Sequence, residues 1–181
     1  MKSWPSPFVP AVPGQGEPLA LYDTQSRSVR PVQAGPVAPR VPGTLTLRPP
    51  LVSLLGFDDV LAGLGQPGRL IVDARAPDRF RGENETLDPV GGHIPGAANR
   101  CFRDNLRPDG SFKPPEQLRQ EWLALMGRRQ PADLVQQCGS GVTACHNLLA
   151  LAVAGLDGSA LYAGSWSEWC SRVNAPVAVG A

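Results

Sequence analysis

The sequence predicts an α/β domain with a mainly parallel sheet flanked by helices, preceded by a proline-rich irregular arm. Two observations predict this arrangement. After about residue 50, short apolar segments that suit buried strands alternate with segments of helical periodicity. Eleven of the twenty prolines lie in residues 1–50, which show little periodic apolar pattern. We therefore expect an irregular arm over residues 1–48 and one folded domain over residues 50–177.

The first half of the domain contains one predicted helix and one predicted strand. Residues 53–65, SLLGFDDVLAGLG, space their apolar side chains as in a helix and end in glycines. Residues 69–75, RLIVDAR, form an apolar run that suits a buried strand ending near Asp73. The turn-rich stretch GGHIPGAAN, residues 91–99, then leads into a second short segment.

The second half repeats the alternation of helix and strand. Residues 114–127 begin with two prolines, repeat apolar side chains on one face and predict a helix. Residues 132–138, ADLVQQC, predict a second strand, and residues 143–156 predict a second strong helix. Residues 159–169, SALYAGSWSEW, predict a third strand that runs into a loop. Binding sites in such sheets lie at the carboxyl ends of the strands.

The composition excludes several classes of function. A net charge of +1 gives no reason to expect nucleic acid or an anionic membrane as partner. We see no membrane-spanning apolar run and no signal peptide, so we expect a cytoplasmic protein with free thiols. The cysteines form no CxxC pair, which argues against a metal site; they are Cys101, Cys138, Cys145 and Cys170. We expect Cys145, two helical turns after Cys138, to pack within its helix; the alternative is a resolving role in oxidation.

The stretch QQCGSGVTACH, residues 136–146, places a cysteine between a strand and a helix. If the strand ends at Cys138 and the helix begins near Val142 or Thr143, the sulfur lies at a helix N-terminus. Gly139 and Gly141 allow the backbone to curl so that several N–H groups point inward. Such a cradle favours a thiolate, the nucleophilic form of cysteine. The alternative is a buried core cysteine beside a turn.

The residues around the cysteine narrow the chemistry. Cysteine-dependent phosphatases need an arginine six residues after the cysteine, where this chain has Ala144. A cysteine protease needs a histidine base, but His146 follows on the helix and His93 lies in a turn. The remaining fit is a cysteine that carries one extra sulfur as a persulfide, held by the loop N–H groups.

Four motifs of the chain resemble one known family. They are CGSGVTA at 138–144, VDAR at 72–75, GHIPGA at 92–97 and GSWSEW at 164–169. They resemble the rhodanese-like sulfurtransferases, most closely the C-terminal domain of 3-mercaptopyruvate and thiosulfate sulfurtransferases, over residues 50–177. The resemblance implies a rhodanese-like domain with a five-stranded, mainly parallel sheet.

The resemblance also implies an activity and a site. The activity is transfer of a sulfane sulfur from 3-mercaptopyruvate or thiosulfate to a thiol or cyanide, through a cysteine persulfide and without a cofactor. The implied nucleophile is Cys138, with Ser140 and the loop amides stabilising charge on sulfur. Substrate-binding roles are implied for Arg79, in an R-F motif that grips the donor carboxylate, and for Gly139, Gly141, Val142 and Thr143. The neutral Gly139-Ser140 pair favours mercaptopyruvate over thiosulfate as the donor.

The chain departs from the family pattern in two ways. The family places a second carboxylate-binding arginine between R-F and GHIPG, but ENETLDPVG, residues 83–91, contains none, so Arg100 or Arg103 is a substitute. Full enzymes also have an N-terminal rhodanese domain, and residues 1–48 resemble the tail of such a domain and its linker. The alternative function is therefore a truncated, non-catalytic module that carries a persulfide or binds a partner. A dimer or a separate N-terminal domain is then expected as partner.

Other polar and aromatic residues have structural interpretations. Asp73 and Arg75 are expected to form an ion pair or cap at the end of a buried strand. His93 is expected to fix its turn by a hydrogen bond. Trp166 and Trp169 are expected to close the core beside the cysteine loop.

Overall fold

The structure is a computed structural model that describes residues 20–23, 28–31, 43–44, 46 and 49–180. The described residues fall into two compact units, divided between Leu47 and Arg48. In the first unit, β1 (Ala20–Asp23) pairs antiparallel with β2 (Ser28–Pro31). These two strands lie within the arm that the sequence predicts as irregular; the other arm residues before 43 lie outside the described residues.

The second unit contains a five-stranded sheet in which every pairing is parallel. Its strands are β3 (Leu54–Leu55), β4 (Leu70–Asp73), β5 (Ala98–Asn99), β6 (Leu134–Gln137) and β7 (Ala160–Tyr162). They are ordered β3-β7-β6-β4-β5, so that β6 is central and ends directly before Cys138. The predicted α/β class and the predicted strands at 69–75, 132–138 and 159–169 are confirmed.

Helices cover the sheet. They are α1 (Phe57–Ala62), α2 (Pro77–Arg81), α3 (Pro115–Met126), α4 (Val142–Val153) and α5 (Ser165–Trp169). The two long helices are those that the sequence predicts. α3 begins after Pro114 and ends at Gly127, as the proline and glycine positions indicate.

The predicted helix over residues 53–65 is wrong in its first part. Leu54 and Leu55 form β3, whose neighbour Ser53 accepts a hydrogen bond from the Leu161 N–H at 2.9 Å. Gly56 has an extended backbone, with φ −88° and ψ 174°, which separates this strand from α1. Pairing with β7 therefore decides the local conformation, and helical periodicity does not.

Both faces of the sheet are buried, which explains the unbroken apolar runs of its strands. Leu70 and Val72 pack on one face with Leu134 and the core-facing side chains of α3 and α4. Ile71 and Val135 pack on the other face with Trp166 and Trp169, which are fully buried. The expected role of the two tryptophans in the core is confirmed, although the segment that carries them is α5 and not a loop.

None of the helices in the described part of the chain has both the length and the apolar character needed to cross a bilayer. The cytoplasmic location stays a prediction.

Candidate active site

Cys138 lies at the carboxyl edge of the central strand, where the sequence predicts the site. It directly follows β6, and only 2% of its surface is exposed. Ala74 and Ala144 pack with it in one cluster, and Phe102 and Leu161 border the cluster. The sulfur therefore lies between the end of β6 and the first turn of α4.

The loop after Cys138 turns its carbonyl groups toward α5. The Cys138 carbonyl accepts the Trp166 N–H at 2.9 Å, and the Gly139 carbonyl accepts the Ser167 N–H at 2.9 Å. In a trans peptide the N–H points opposite to the C=O, so the N–H groups of Gly139 and Ser140 point away from α5. Within the described part of the chain, the N–H groups of residues 139–144 donate no hydrogen bond. This is the unpaired backbone that an anion cradle requires.

Gly141 is required by the shape of the loop. It caps α4 with φ +84°, a left-handed conformation that side chains disfavour. A Cβ atom at this position would lie 2.7 Å from the Ala163 carbonyl oxygen. Among the other predicted loop residues, Ser140 and Val142 are exposed, and Gly139 and Thr143 are half-buried.

Ser165 supports the loop and is a residue that sequence reasoning missed. Its Oγ accepts the Cys138 N–H at 3.1 Å and donates to the Tyr162 carbonyl at 2.9 Å. It is fully buried and adopts φ +53°, which is uncommon for a residue other than glycine. The signal was present in the GSWSEW motif, but the contact with Cys138 spans 27 residues of sequence.

The structure brings Arg79 of α2 to the loop. Its Nη1 and Nη2 atoms would lie 3.4 Å and 3.7 Å from a Cβ atom placed on Gly139. The opposite edge of the guanidinium binds Glu85, with Nη2–Oε1 at 2.7 Å and Nε–Oε2 at 3.1 Å. Nη2 also contacts Asp88 Oδ2 at 3.2 Å, whereas Nη1 donates to no described residue. The guanidinium is thus held from one side and faces the loop with the other.

Glu85 is fixed by several donors at once. Its carboxylate also accepts the Leu87 and Asp88 N–H groups, and only 4% of its side chain is exposed. Burial alone raises the pKa of Glu85. The hydrogen bonds from Arg79, Leu87 and Asp88 outweigh burial and hold that pKa below its ordinary value. Glu85 is therefore an ionised anchor for Arg79.

Asp73, Arg75 and His93 have structural roles, as the sequence predicts. Arg75 and Asp73 form a buried bidentate pair, with Nη2–Oδ2 at 2.7 Å and Nε–Oδ1 at 3.1 Å. The Arg75 guanidinium also lies 4.7 Å from the centre of the Trp166 ring. His93 bonds the Phe80 carbonyl through Nδ1 at 2.8 Å and stacks on the Phe80 ring. None of these groups is free to act on a substrate at Cys138.

The two arginines proposed as substitutes differ in their environment. Arg100 binds Glu121 at 2.8 Å and stacks on Trp122 at 4.5 Å, so its charge is already used. Arg103 is exposed, and its guanidinium lies 5.7 Å from the ring of Phe102, which borders the Cys138 cluster. Of the two, only Arg103 has a side chain available near the site.

The remaining cysteines and His146 do not complete a catalytic pair with Cys138. The expectation that Cys145 is packed is wrong: its side chain is exposed, although its Sγ donates to the Gly141 carbonyl at 3.3 Å. Burial raises the pKa of the Cys101 and Cys170 thiols, which keeps both protonated. Burial also lowers the pKa of His146, whose ring stacks on that of Phe112. Residues 49–180 contain no group of three or more His, Cys, Asp or Glu placed to bind a metal.

Comparison with known proteins identifies the family of the domain. The model of the rhodanese-like domain matches residues 57–172, which include every residue placed at the site. The chain belongs to the rhodanese-like domain family. The resemblance to the rhodanese-like sulfurtransferases that the motifs predict is confirmed.

Similar proteins are named as sulfurtransferases. The "Probable 3-mercaptopyruvate sulfurtransferase" of Pseudomonas aeruginosa is 54% identical over 139 residues, 77% of this chain and 49% of that protein. The thiosulfate sulfurtransferase of Mus musculus is 38% identical over 146 residues, 78% of this chain and 48% of that protein. The structure of 3-mercaptopyruvate sulfurtransferase from Leishmania major superposes with a TM-score of 0.57 at 28% identity, covering 79% of this chain and 40% of that one. The chain spans about half the length of the curated relatives it matches.

Proposed function

We propose that this rhodanese domain is a sulfurtransferase that moves a sulfane sulfur from 3-mercaptopyruvate or thiosulfate to a thiol or cyanide. The sulfur travels as a persulfide on Cys138. The observation that carries the proposal is the set of unpaired N–H groups over residues 139–144, next to that cysteine. Relatives named for both donors support the reaction class.

The chemistry needs an electron-rich sulfur and a place for its charge. The Cys138 thiolate attacks the sulfur of mercaptopyruvate and forms an S–S bond, while the C–S bond breaks and its electron pair leaves as the enolate of pyruvate. The enolate takes a proton and becomes pyruvate. An acceptor thiolate then attacks the outer sulfur, forms a new persulfide and regenerates the Cys138 thiolate. With thiosulfate as donor, the leaving group is sulfite.

Backbone donors are the groups that stabilise the terminal persulfide anion. The N–H groups of the loop and the N-terminus of α4 favour negative charge without any side-chain base. The Ser140 hydroxyl is exposed at the loop and adds a donor to the outer sulfur. Gly139, Gly141, Val142 and Thr143 contribute through their backbone, which explains why two of these positions are glycine.

Arg79 is the proposed donor-binding cation. Its Nη1 group has no described partner and faces Gly139, so it is available to a carboxylate that enters above the cysteine. Arg103 is exposed beside Phe102 and supplies a second positive charge. Mercaptopyruvate fits this arrangement better than thiosulfate, because the loop itself carries no cation and Arg79 is already paired with Glu85 and Asp88.

Single-turnover persulfide formation tests the function. The protein is mixed with 3-mercaptopyruvate or thiosulfate without an acceptor, and its intact mass is measured. We expect a gain of one sulfur atom in the wild type and no gain in Cys138→Ser. Cys145→Ser is the matched control, because it removes the exposed thiol of α4 and its hydroxyl can keep the hydrogen bond that Cys145 Sγ donates to the Gly141 carbonyl.

The outcome of the same experiment decides between the two candidate functions. A folded wild type that gains no sulfur from either donor would favour the non-catalytic module. The exposed apolar face of α4 supports that second candidate, since Val142 is 72% and Leu149 is 53% exposed. Such a face beside the site is what we expect where a separate N-terminal domain packs.

A further inference from the structure

Two carboxylates, those of Glu85 and Asp88, bind Arg79 beside the cysteine loop. Glu85 holds Arg79 along its Nε–Nη2 edge, and Asp88 touches the same Nη2 atom. Glu85 is anchored independently, because backbone N–H groups and Arg75 Nη1, at 3.4 Å, also bind it. Glu85 is therefore a fixed part of the site, and the carboxylate of a ligand cannot readily replace it on Arg79.

Asp88 is held far less firmly. Its only hydrogen bond from a described residue is the contact of Oδ2 with Arg79 Nη2 at 3.2 Å, and no described group donates to Oδ1. Yet only 9% of its side chain is exposed, so the carboxylate is directed inward at Arg79 and not into solvent. A carboxylate in this position, with a single long bond, can be replaced by the carboxylate of a ligand.

The charges at this point of the site do not favour anions. Arg79 and Arg75 carry two positive charges, whereas Glu85, Asp88 and Asp73 carry three negative charges, so this linked group sums to −1. An incoming donor anion meets this excess at contact distance, where unit charges interact most strongly. The electrostatic repulsion is twice as large for a dianion such as thiosulfate as for a monoanion such as mercaptopyruvate.

We propose that Asp88 is a specificity-determining residue: it holds Nη2 of Arg79, the atom that a donor carboxylate bound to the free Nη1 also needs for a bidentate pair. Displacement of Asp88 by a donor carboxylate exchanges one negative charge for another on the same guanidinium. A dianionic donor adds a further charge that Arg79 cannot balance. Asp88 thus selects monoanionic carboxylate donors. The choice of donors in this inference rests on the proposed function, and the position of Asp88 rests on its contact with Arg79.

Alkylation of Cys138 tests the inference without any sulfur transfer. Iodoacetate is a carboxylate and iodoacetamide is its neutral amide; each forms an S–C bond with the thiolate and releases iodide. Asp88→Asn keeps the size of the side chain and removes its charge. We expect this variant to raise the iodoacetate rate at Cys138 about 5-fold and to leave the iodoacetamide rate unchanged. Peptide mass spectrometry separates Cys138 from the other cysteines.

A matched control on the same segment separates local from general electrostatics. Glu83 carries the same charge five residues earlier, but it pairs with Arg81 on the surface. Glu83→Gln should leave both alkylation rates at Cys138 unchanged. Arg79→Gln should lower the iodoacetate rate alone. Equal effects of Glu83→Gln and Asp88→Asn, or no effect of Arg79→Gln, would overturn the inference, as would a Cys138 that neither reagent modifies in any variant.

Donor kinetics extend the test to the reaction. Asp88→Asn should raise kcat/KM about 25-fold for thiosulfate and about 5-fold for mercaptopyruvate, because the dianion gains twice the electrostatic benefit. Suppose that the wild type forms persulfide and that Asp88→Asn changes kcat/KM for neither donor. This result would overturn the inference and leave the proposed function standing. A wild type that forms no persulfide, but whose iodoacetate rate responds to Asp88→Asn, would reject the proposed function and support the role of Asp88.

Discussion

At the scale of single residues, the surroundings of Cys138 explain why backbone groups carry the proposed chemistry. The apolar side chains packed with it include Ala74, Ala144, Phe102 and Leu161. His93 bonds the Phe80 carbonyl and His146 stacks on Phe112, so neither imidazole pairs with Cys138. The loop N–H groups, Arg79 and the N-terminus of α4 are therefore the groups that we expect to stabilise a sulfur anion. The position of those N–H groups depends in turn on Ser165.

Ser165→Ala should destabilise the protein by about 1–3 kcal/mol, because it leaves the buried Cys138 N–H and the Tyr162 carbonyl without a partner. Ser165→Gly should be less harmful, because glycine adopts φ +53° without the steric cost that alanine retains. Urea denaturation measures both free energies of unfolding. A glycine variant that is less stable than the alanine variant would contradict this account of the strained backbone.

The sequence indicates the nucleophile of the site but not all of its support. The Cys-Gly-Ser-Gly turn predicts Cys138 and its cradle, because strand, glycines and helix start lie within a few residues. The R-F motif likewise indicates Arg79. Ser165 and Asp88 could not be found in this way, since their contacts join segments that are distant in sequence or depend on the path of a loop. Local pattern does not encode such contacts.

At the scale of elements, the junction of β6 and α4 depends on Gly141. Gly141→Ala should destabilise the protein by more than the roughly 1–2 kcal/mol that a left-handed alanine costs, because its Cβ also meets the Ala163 carbonyl oxygen at 2.7 Å. Persulfide formation should fall with it, since relief of the clash moves the loop N–H groups. Thermal unfolding and the intact-mass assay measure the two effects.

Gly65→Ala is the matched control for Gly141→Ala. Gly65 has φ +72°, and nothing lies within 4 Å of the position of its Cβ atom. Gly65→Ala should destabilise the protein only by the cost of a left-handed alanine, and it should leave persulfide formation unchanged. Equal destabilisation by the two substitutions would show that the Ala163 contact contributes nothing.

The helix α3 is tied to the segment after β5 by an ionised cluster that makes stability depend on pH. Burial alone raises the pKa of Glu121, but hydrogen bonds from Arg100, Lys113 and Gln117 outweigh it and lower the pKa from 4.5 to about 2. Because the folded value lies below the unfolded one, the contribution of Glu121 is complete above about pH 4.5 and is lost as the pH falls toward about 2.

Glu121→Gln should therefore destabilise the protein at pH 7 and have little effect near pH 2. The difference in the free energy of unfolding should appear mainly between these pKa values. Urea titrations at a series of pH values measure it. Glu116→Gln is the control, since Glu116 lies exposed in the first turn of the same helix. A Glu121→Gln effect of the same size at every pH would contradict the role of its charge.

The elements differ in how well the sequence predicts them. α3 and α4 have full helical periodicity with proline or glycine at their ends, so they are predicted with nearly correct bounds. The strand β3 is only two residues long and forms because β7 offers a free edge, which no local pattern reveals. The short helix α5 is likewise set by its hydrogen bonds to the cysteine loop.

At the scale of the whole molecule, the buried cores indicate how much of the chain the fold needs. Among residues 49–180, the buried side chains form three core clusters, whose members and packed neighbours lie from Leu55 to Ala175. These residues cover both faces of the sheet and include the cluster around Cys138. The core therefore lies within the predicted domain of residues 50–177, whose boundaries stay a prediction.

A chain that begins at residue 49 should accordingly fold cooperatively, with a thermal midpoint close to that of the full chain. It should also gain one sulfur from mercaptopyruvate at Cys138, if the proposed function is correct, because the loop, Arg79 and Ser165 all lie within it. Calorimetry and intact mass measure the two properties. Trp122→Ala in the shortened chain is the control, since truncation of this fully buried side chain should cost about 3–5 kcal/mol and lower the midpoint clearly. A shortened chain that unfolds without cooperativity would show that residues 1–48 are part of the folding unit and that the predicted boundary is wrong.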